Sequence, residues 1–162
     1  MQADTLIIGI GNADRQDDGV GWHILKNLAE KLGKTVPEDP GEIVEVETDQ
    51  VDLMFILQIY PELAETISHY KRLCFVDAHT ADVADEISWT VLQPEFEKSP
   101  LTHHMSPSTV LSIGASIYDH MPETILVSVR GYHFQFERAL SPQTEALASQ
   151  AIDRLWDWIN HK

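Results

Sequence analysis

Two hydrophobic periods alternate along this chain, and the switches between them divide it into strands and helices. The unbroken apolar run Leu6–Ile10 predicts a buried strand. Gly21, Leu25, Leu28, Ala29 and Leu32 then fall on one face of a helix that ends at Gly33, and Lys34–Gly41 is a Pro-containing loop. Apolar and acidic residues alternate over Ile43–Thr48, which suits a half-buried strand, while Leu53–Leu57 is apolar with no period that decides its type. Pro61-Glu-Leu-Ala-Glu65 predicts a helix with Pro in its first turn.

Leu73–Val76 and Ile87–Leu92 predict two more strands. Ser106-Pro107 opens a helix through Val110, Leu111, Ile113, Gly114 and Ile117, and Ile125–Val129 is the last strand. Ser141-Pro-Gln-Thr-Glu145 begins a closing helix, with a Ser cap, Pro behind it and Glu145 in the first turn. Leu147, Ala148, Ala151, Ile152, Leu155 and Ile159 share its apolar face. The order β-α-β-α-β-β-α-β-α predicts an α/β protein, a three-layer α/β/α sandwich with a mostly parallel central sheet. Its crossovers should be right-handed. With no repeat, linker or low-complexity tract, residues 1–162 are expected to form one domain.

Charge narrows the partners. Twenty-six acidic against eleven basic residues give a formal charge of −15, a surface that repels nucleic acid and anionic membranes. Cys74 is the only cysteine, so neither a disulfide framework nor a cysteine metal site is available. The first apolar run is five residues long and no basic segment precedes it, so the expectation is a cytoplasmic protein without a membrane span.

Three places could carry chemistry. Asp17 and Asp18 stand side by side where the first strand leads into the first helix. One aspartate there is a favoured helix cap, but a second adds repulsion that needs exposure or a cation. One cap and one ligand would account for the pair. Asp77 follows Cys74-Phe-Val76 at the carboxyl edge of the predicted sheet, where open α/β sheets bind ligands. His103-His104 precede a helix start, and His79 lies two residues past Asp77. Two carboxylates and one neutral imidazole suit a divalent ion of the zinc or nickel kind. The other histidines and the Trp156/Trp158 pair have structural readings. Gly9-Ile-Gly11 is a poor dinucleotide fingerprint, because Asp14 stands where the third glycine belongs.

Taken together, Gly9-Ile-Gly-Asn12, Asp17-Asp-Gly-Val-Gly21, Phe75-Val-Asp-Ala78 and His103-His-Met-Ser-Pro107 resemble the NiFe-hydrogenase maturation endopeptidases, in order and spacing over nearly the whole chain. Gln58–Glu65 and Phe134–Pro142 further resemble the branch serving bidirectional, NAD-linked hydrogenases. The resemblance implies an aspartic-type or metal-assisted peptidase that removes the C-terminal extension of a hydrogenase large-subunit precursor. Nickel already in the precursor would be the recognition element, and the enzyme would need no cofactor of its own, although another divalent metal could substitute. It further implies that Asp18, Asp77 and His103 meet that metal, with Asp18 and Asp77 as the catalytic candidates. Asp18 is one methylene shorter than the glutamate that many members carry. His104, Asp17 and His79 are the second choices. Two rival readings remain. A metal-sensing chaperone would bind the same precursor without cutting it, and a peptidyl-tRNA hydrolase-like esterase opens on a similar strand and Gly turn but needs a basic surface.

Overall fold

The computed structural model describes residues 3–96 and 105–161. Strand β1 (Thr5–Ile10) leads through a 3-10 turn (Gln16–Gly19) into helix α1 (Val20–Lys31). Strands β2 (Ile43–Val46) and β3 (Asp52–Ile56), the short helix α2 (Leu63–Ile67) and strand β4 (Arg72–His79) follow. Strand β5 (Ile87–Leu92), helix α3 (Pro107–Ile117), strand β6 (Glu123–Arg130) and helix α4 (Pro142–Asn160) complete the described elements.

The sheet runs β2-β3-β1-β4-β6-β5. Its four central strands are parallel, and the outer two of them each carry an antiparallel neighbour, β2 against β3 and β5 against β6. The expected mostly parallel sheet is therefore present, with antiparallel edges. Burial explains which strands the hydrophobic period resolved. On β2, Ile43 and Glu45 are exposed and Val44 and Val46 half-buried, so the strand alternates. On β3 every residue is buried, with helices over both faces, and no alternation survives. The undecided stretch Leu53–Leu57 is this strand up to Ile56. The helix expected at Pro61 starts later, at Leu63, and lasts five residues.

Two apolar cores lie on opposite faces of the sheet. Ile7, Phe55, Cys74, Val76 and Val127 pack with Leu25, Leu28, Leu147 and Ala151 of α1 and α4. Leu6, Ile8, Ile56, Leu73 and Phe75 pack with Leu63, Ile67, Val110 and Leu111 of α2 and α3. Phe55 and Phe75 are both fully buried, one for each face, and a side chain of that size contributes about 2–3 kcal/mol by leaving water. Cys74 is buried, and burial pushes its thiol far above the ordinary range. The Arg72 guanidinium lies 4.0 Å from the ring of half-buried Trp158 and donates to its carbonyl at 2.9 Å. No helix of the described residues is long and apolar enough to cross a membrane.

Candidate active site

The first helix approaches the sheet closely because two glycines face each other. A Cβ on Gly9 would sit 2.9 Å from the Gly21 carbonyl, and one on Gly21 would sit 3.0 Å from the Val76 carbonyl. The start of α1 thus rests on the ends of β1 and β4. Gly11, just past β1, adopts φ +142°, and a Cβ there would overlap the carbonyl oxygen of Asp18. Its missing side chain lets the chain fold back so that the Asn12 N–H donates to Asp18 Oδ2 at 2.8 Å. The turn is not a phosphate cradle; it brings a carboxylate back over the strand end.

Asp77 reaches the same place from the next strand. Gly9 and Val76 are the last paired residues of β1 and β4, whereas β4 stays paired with β6 as far as His79 and Arg130. Asp77 therefore stands inside β4, on a ledge whose β1 side has already ended. Helix α1 covers one face of the sheet and α3 the other, so β1 and β4 flank the switch point where α/β sheets open a crevice. Asp77 Oδ1 accepts one hydrogen bond, from its own neighbour Ala78 N–H at 2.8 Å. Burial, and secondarily the charge of Asp18, push its carboxyl up to about 7, with only the Ala78 bond opposing. The charge of Asp18 is therefore felt at Asp77.

Asp17 has a different fate. It is fully buried. Its Oδ2 accepts from the Tyr132 and His133 N–H groups at 2.8 and 2.9 Å and from the Ser141 hydroxyl at 2.7 Å, and its Oδ1 accepts from the Ser141 N–H at 2.8 Å. Burial alone would raise its pKa, but these donors outweigh it and hold the carboxyl below the ordinary range. Asp17 does not cap the helix that follows it in sequence. It anchors Ser141, whose Oγ accepts from Thr144 N–H at the start of α4.

His79 is also engaged. Its Nε2 donates to the Asp85 carbonyl, an acceptor only, at 2.8 Å. Its Nδ1 lies 2.6 Å from the Ser128 hydroxyl, which can serve as donor or acceptor. Ser128 pairs with Asp77 across β4 and β6, so the imidazole braces the ledge beside Asp77 and has no nitrogen free to meet a metal. His103 and His104 lie outside the described residues. Among the described residues no group of three or more His, Cys, Asp or Glu side chains is placed to hold a metal. A cleft of about 540 Å³ opens at the opposite, amino edge of the sheet, against Arg72, Glu123 and Trp158, and touches none of these carboxylates.

Sequence reasoning missed the partners rather than the aspartates. Nothing local to Asp17 signals Ser141, 124 positions away, and nothing beside His79 signals Ser128. Asn12, by contrast, lies only six positions before Asp18, in the turn that follows β1.

No protein-family model and no curated protein matches the sequence. Solved structures do match. The hydrogenase maturating endopeptidase HybD from E. coli is 20% identical, with 99% of this chain and 93% of that chain covered at a TM-score of 0.68. The [NiFe] hydrogenase maturation protease HycI from Thermococcus kodakarensis KOD1 is 16% identical, with 99% and 94% covered at 0.66. HybD from Thermococcus kodakarensis, also a [NiFe] hydrogenase maturation protease, is 19% identical, with 98% and 99% covered at 0.61. The chain has the fold of these maturation proteases over nearly its full length.

Proposed function

We propose that this chain is an endopeptidase that removes the C-terminal extension of a nickel-loaded NiFe-hydrogenase large-subunit precursor in the cytoplasm. The observation that supports the reading is Asp77 inside β4 at the sheet's switch point, with the charge of Asp18 acting on it, on a fold shared with maturation proteases. The motifs that resemble that family fall on those two residues and on His103, with His104 as the second choice for the imidazole.

In this reading the metal arrives with the substrate. Asp18, Asp77 and the histidine complete the coordination of the precursor's nickel, so a precursor without nickel is poorly held and cleavage becomes a checkpoint. Amide hydrolysis needs a polarised carbonyl and an activated water. Asp77 supplies the proton acceptor: a carboxyl titrating near 7 exchanges protons at neutral pH, where an ordinary aspartate would be a weak base. The Ala78 N–H holds one of its oxygens in place and leaves the other for water or metal. The acidic surface suits a protein partner and opposes the tRNA needed for a hydrolase of peptidyl-tRNA.

The test is to incubate purified precursor, loaded with nickel or free of it, with the protein and to measure intact mass. Loss of the C-terminal peptide from the loaded form alone is expected. Cleavage of both forms removes nickel as the recognition element, and cleavage of neither leaves only a non-proteolytic, metal-sensing chaperone.

A further inference from the structure

The connection between β6 and α4, residues 131–141, has no regular secondary structure, yet it is clamped along its length. Besides the four bonds to the Asp17 carboxylate, the Asp17 N–H donates to the His133 carbonyl at 3.1 Å. The Gln16 N–H donates to the Glu137 carbonyl at 2.7 Å, and the Glu137 N–H donates to the Asp14 carbonyl at 3.1 Å. The Gln135 N–H donates to Gln16 Oε1 at 3.3 Å. Gln16 is held at φ +49°, a left-handed conformation unusual for a residue with a side chain. Arg138 reaches Asp14 at 2.7 Å and Asp39 at 3.3 Å.

Two phenylalanines lie two positions apart within this clamp. Phe134 is half-buried, its ring against Gly131 at a distance that leaves no room for a Cβ there. Phe136 is 92% exposed, the most exposed of the large apolar side chains among the described residues. A single exposed apolar residue on a surface needs no explanation in itself. What needs one is its setting, because the residues on either side of Phe136 are both bonded to Gln16, two residues before Asp18. The folded chain gains nothing from an aromatic ring standing in water, while the loop loses the freedom to turn that ring inward.

We propose that Phe136 is an anchor for a folded protein partner, inserting into an apolar socket on its surface. Resting on the function proposed above, that partner is the body of the large-subunit precursor rather than the peptide being cut. Reach supports the assignment. From Phe136 to Glu137, across to Gln16 and on to Asp18 spans at most about 16 Å of Cα path. A standard protein contact covers about 800 Å² per partner, a disc about 16 Å in radius, so a protein seated over Asp18 and Asp77 meets this loop. Other exposed apolar residues line the same carboxyl edge, with Leu57 just past β3 and Ile43 at the start of β2. A pre-ordered aromatic on a braced loop binds without the entropy cost of ordering a mobile one. Buried aromatic anchors are also where binding energy concentrates.

The experiment is processing kinetics on nickel-loaded precursor with Phe136→Ala and Phe136→Trp, alongside melting curves and gel filtration. Phe136→Ala is expected to raise KM about ten- to thirtyfold, with the loss carried by KM rather than kcat, and to leave the melting temperature unchanged. Phe136→Trp should keep KM within about threefold of the parent protein. An unchanged KM in Phe136→Ala overturns the proposal. So does a lowered melting temperature that accounts for the loss, or a dimer that dissolves in Phe136→Ala while KM stays put. If the parent protein fails to process the precursor, the function proposed above falls first and this inference with it; normal processing by the parent and by Phe136→Ala together removes the anchor alone.

Discussion

Asp17 and Asp77 sit on neighbouring parts of one sheet edge, and the difference between their surroundings separates scaffold from chemistry. Asp17 is sealed from water and receives four hydrogen bonds, three from backbone N–H groups and one from the Ser141 hydroxyl. Its charge is satisfied by four donors, and its pKa is held down. Asp77 is drawn out of water by burial, receives one bond and feels the charge of Asp18, so its pKa rises to about 7. Burial opposes ionisation at both positions, and the count of donors decides the outcome. A poorly solvated carboxylate is a liability for folding and an asset for proton transfer.

The largest test of this contrast is activity. Asp77→Asn is nearly isosteric and cannot accept the proton, so processing of nickel-loaded precursor should fall at least about a hundredfold while circular dichroism stays unchanged. Normal processing by that variant would remove Asp77 from the chemistry. The mirror experiment is Asp17→Asn, which turns an amide NH₂ toward donors that need an acceptor. It should cost about 3 kcal/mol in urea unfolding. A cost below about 0.5 kcal/mol would show that the clamp does not depend on the charge.

The third prediction uses pH. The Asp77 carboxyl keeps its proton in the folded state up to about 7, whereas the unfolded chain loses it near the ordinary 3.8. Below 3.8 the group affects stability in neither direction; above it, the folded state is penalised increasingly until pH passes 7. Asp77→Asn should therefore nearly match the parent protein at pH 4 and exceed its stability at pH 8, by up to about 4 kcal/mol. Equal stability at both values would contradict the raised pKa. Asp17 has the opposite sign: its contribution is present at neutral pH and is lost as pH falls through its depressed pKa, so Asp17→Asn should flatten the acid limb of the stability curve. Smallest is Ser141→Ala, which removes both the α4 cap and one donor to Asp17 and should cost about 1–2 kcal/mol in thermal unfolding.

Much of this was legible in residue order. An unbroken apolar run ended by Gly11 located β1, the strand and helix periods located β5 and α3, and the Ser-Pro pairs at 106–107 and 141–142 marked two helix starts where the side chains do accept from Thr109 and Thr144 N–H groups. The β3 segment was undecided because burial on both faces erases the period that separates strand from helix. At the site, a division of labour between Asp17 and Asp18 was legible, but not the partners of Asp17. It caps no helix of its own; a 3-10 turn points it into the β6–α4 loop and folds Asp18 back onto Asn12. His79 was readable as a neighbour of Asp77, but the proton it carries on Nε2 depends on the Asp85 carbonyl, which no spacing discloses.

The Asp17 clamp also sets an order of assembly. Its carboxylate joins the first turn of the chain to residues 115–124 positions later, at the head of the last helix. A contact of that span is slow to form, since loop closure over a long stretch precedes any gain from it. While the chain is being synthesised, Gly11 and Asp18 can be in place long before Tyr132 and Ser141 exist. The opening turn is therefore last to reach its working shape, and recovery of activity on refolding should trail the recovery of helix and sheet. Under the function proposed above, a protein that checks whether another is finished would itself become competent only when its own final helix has docked.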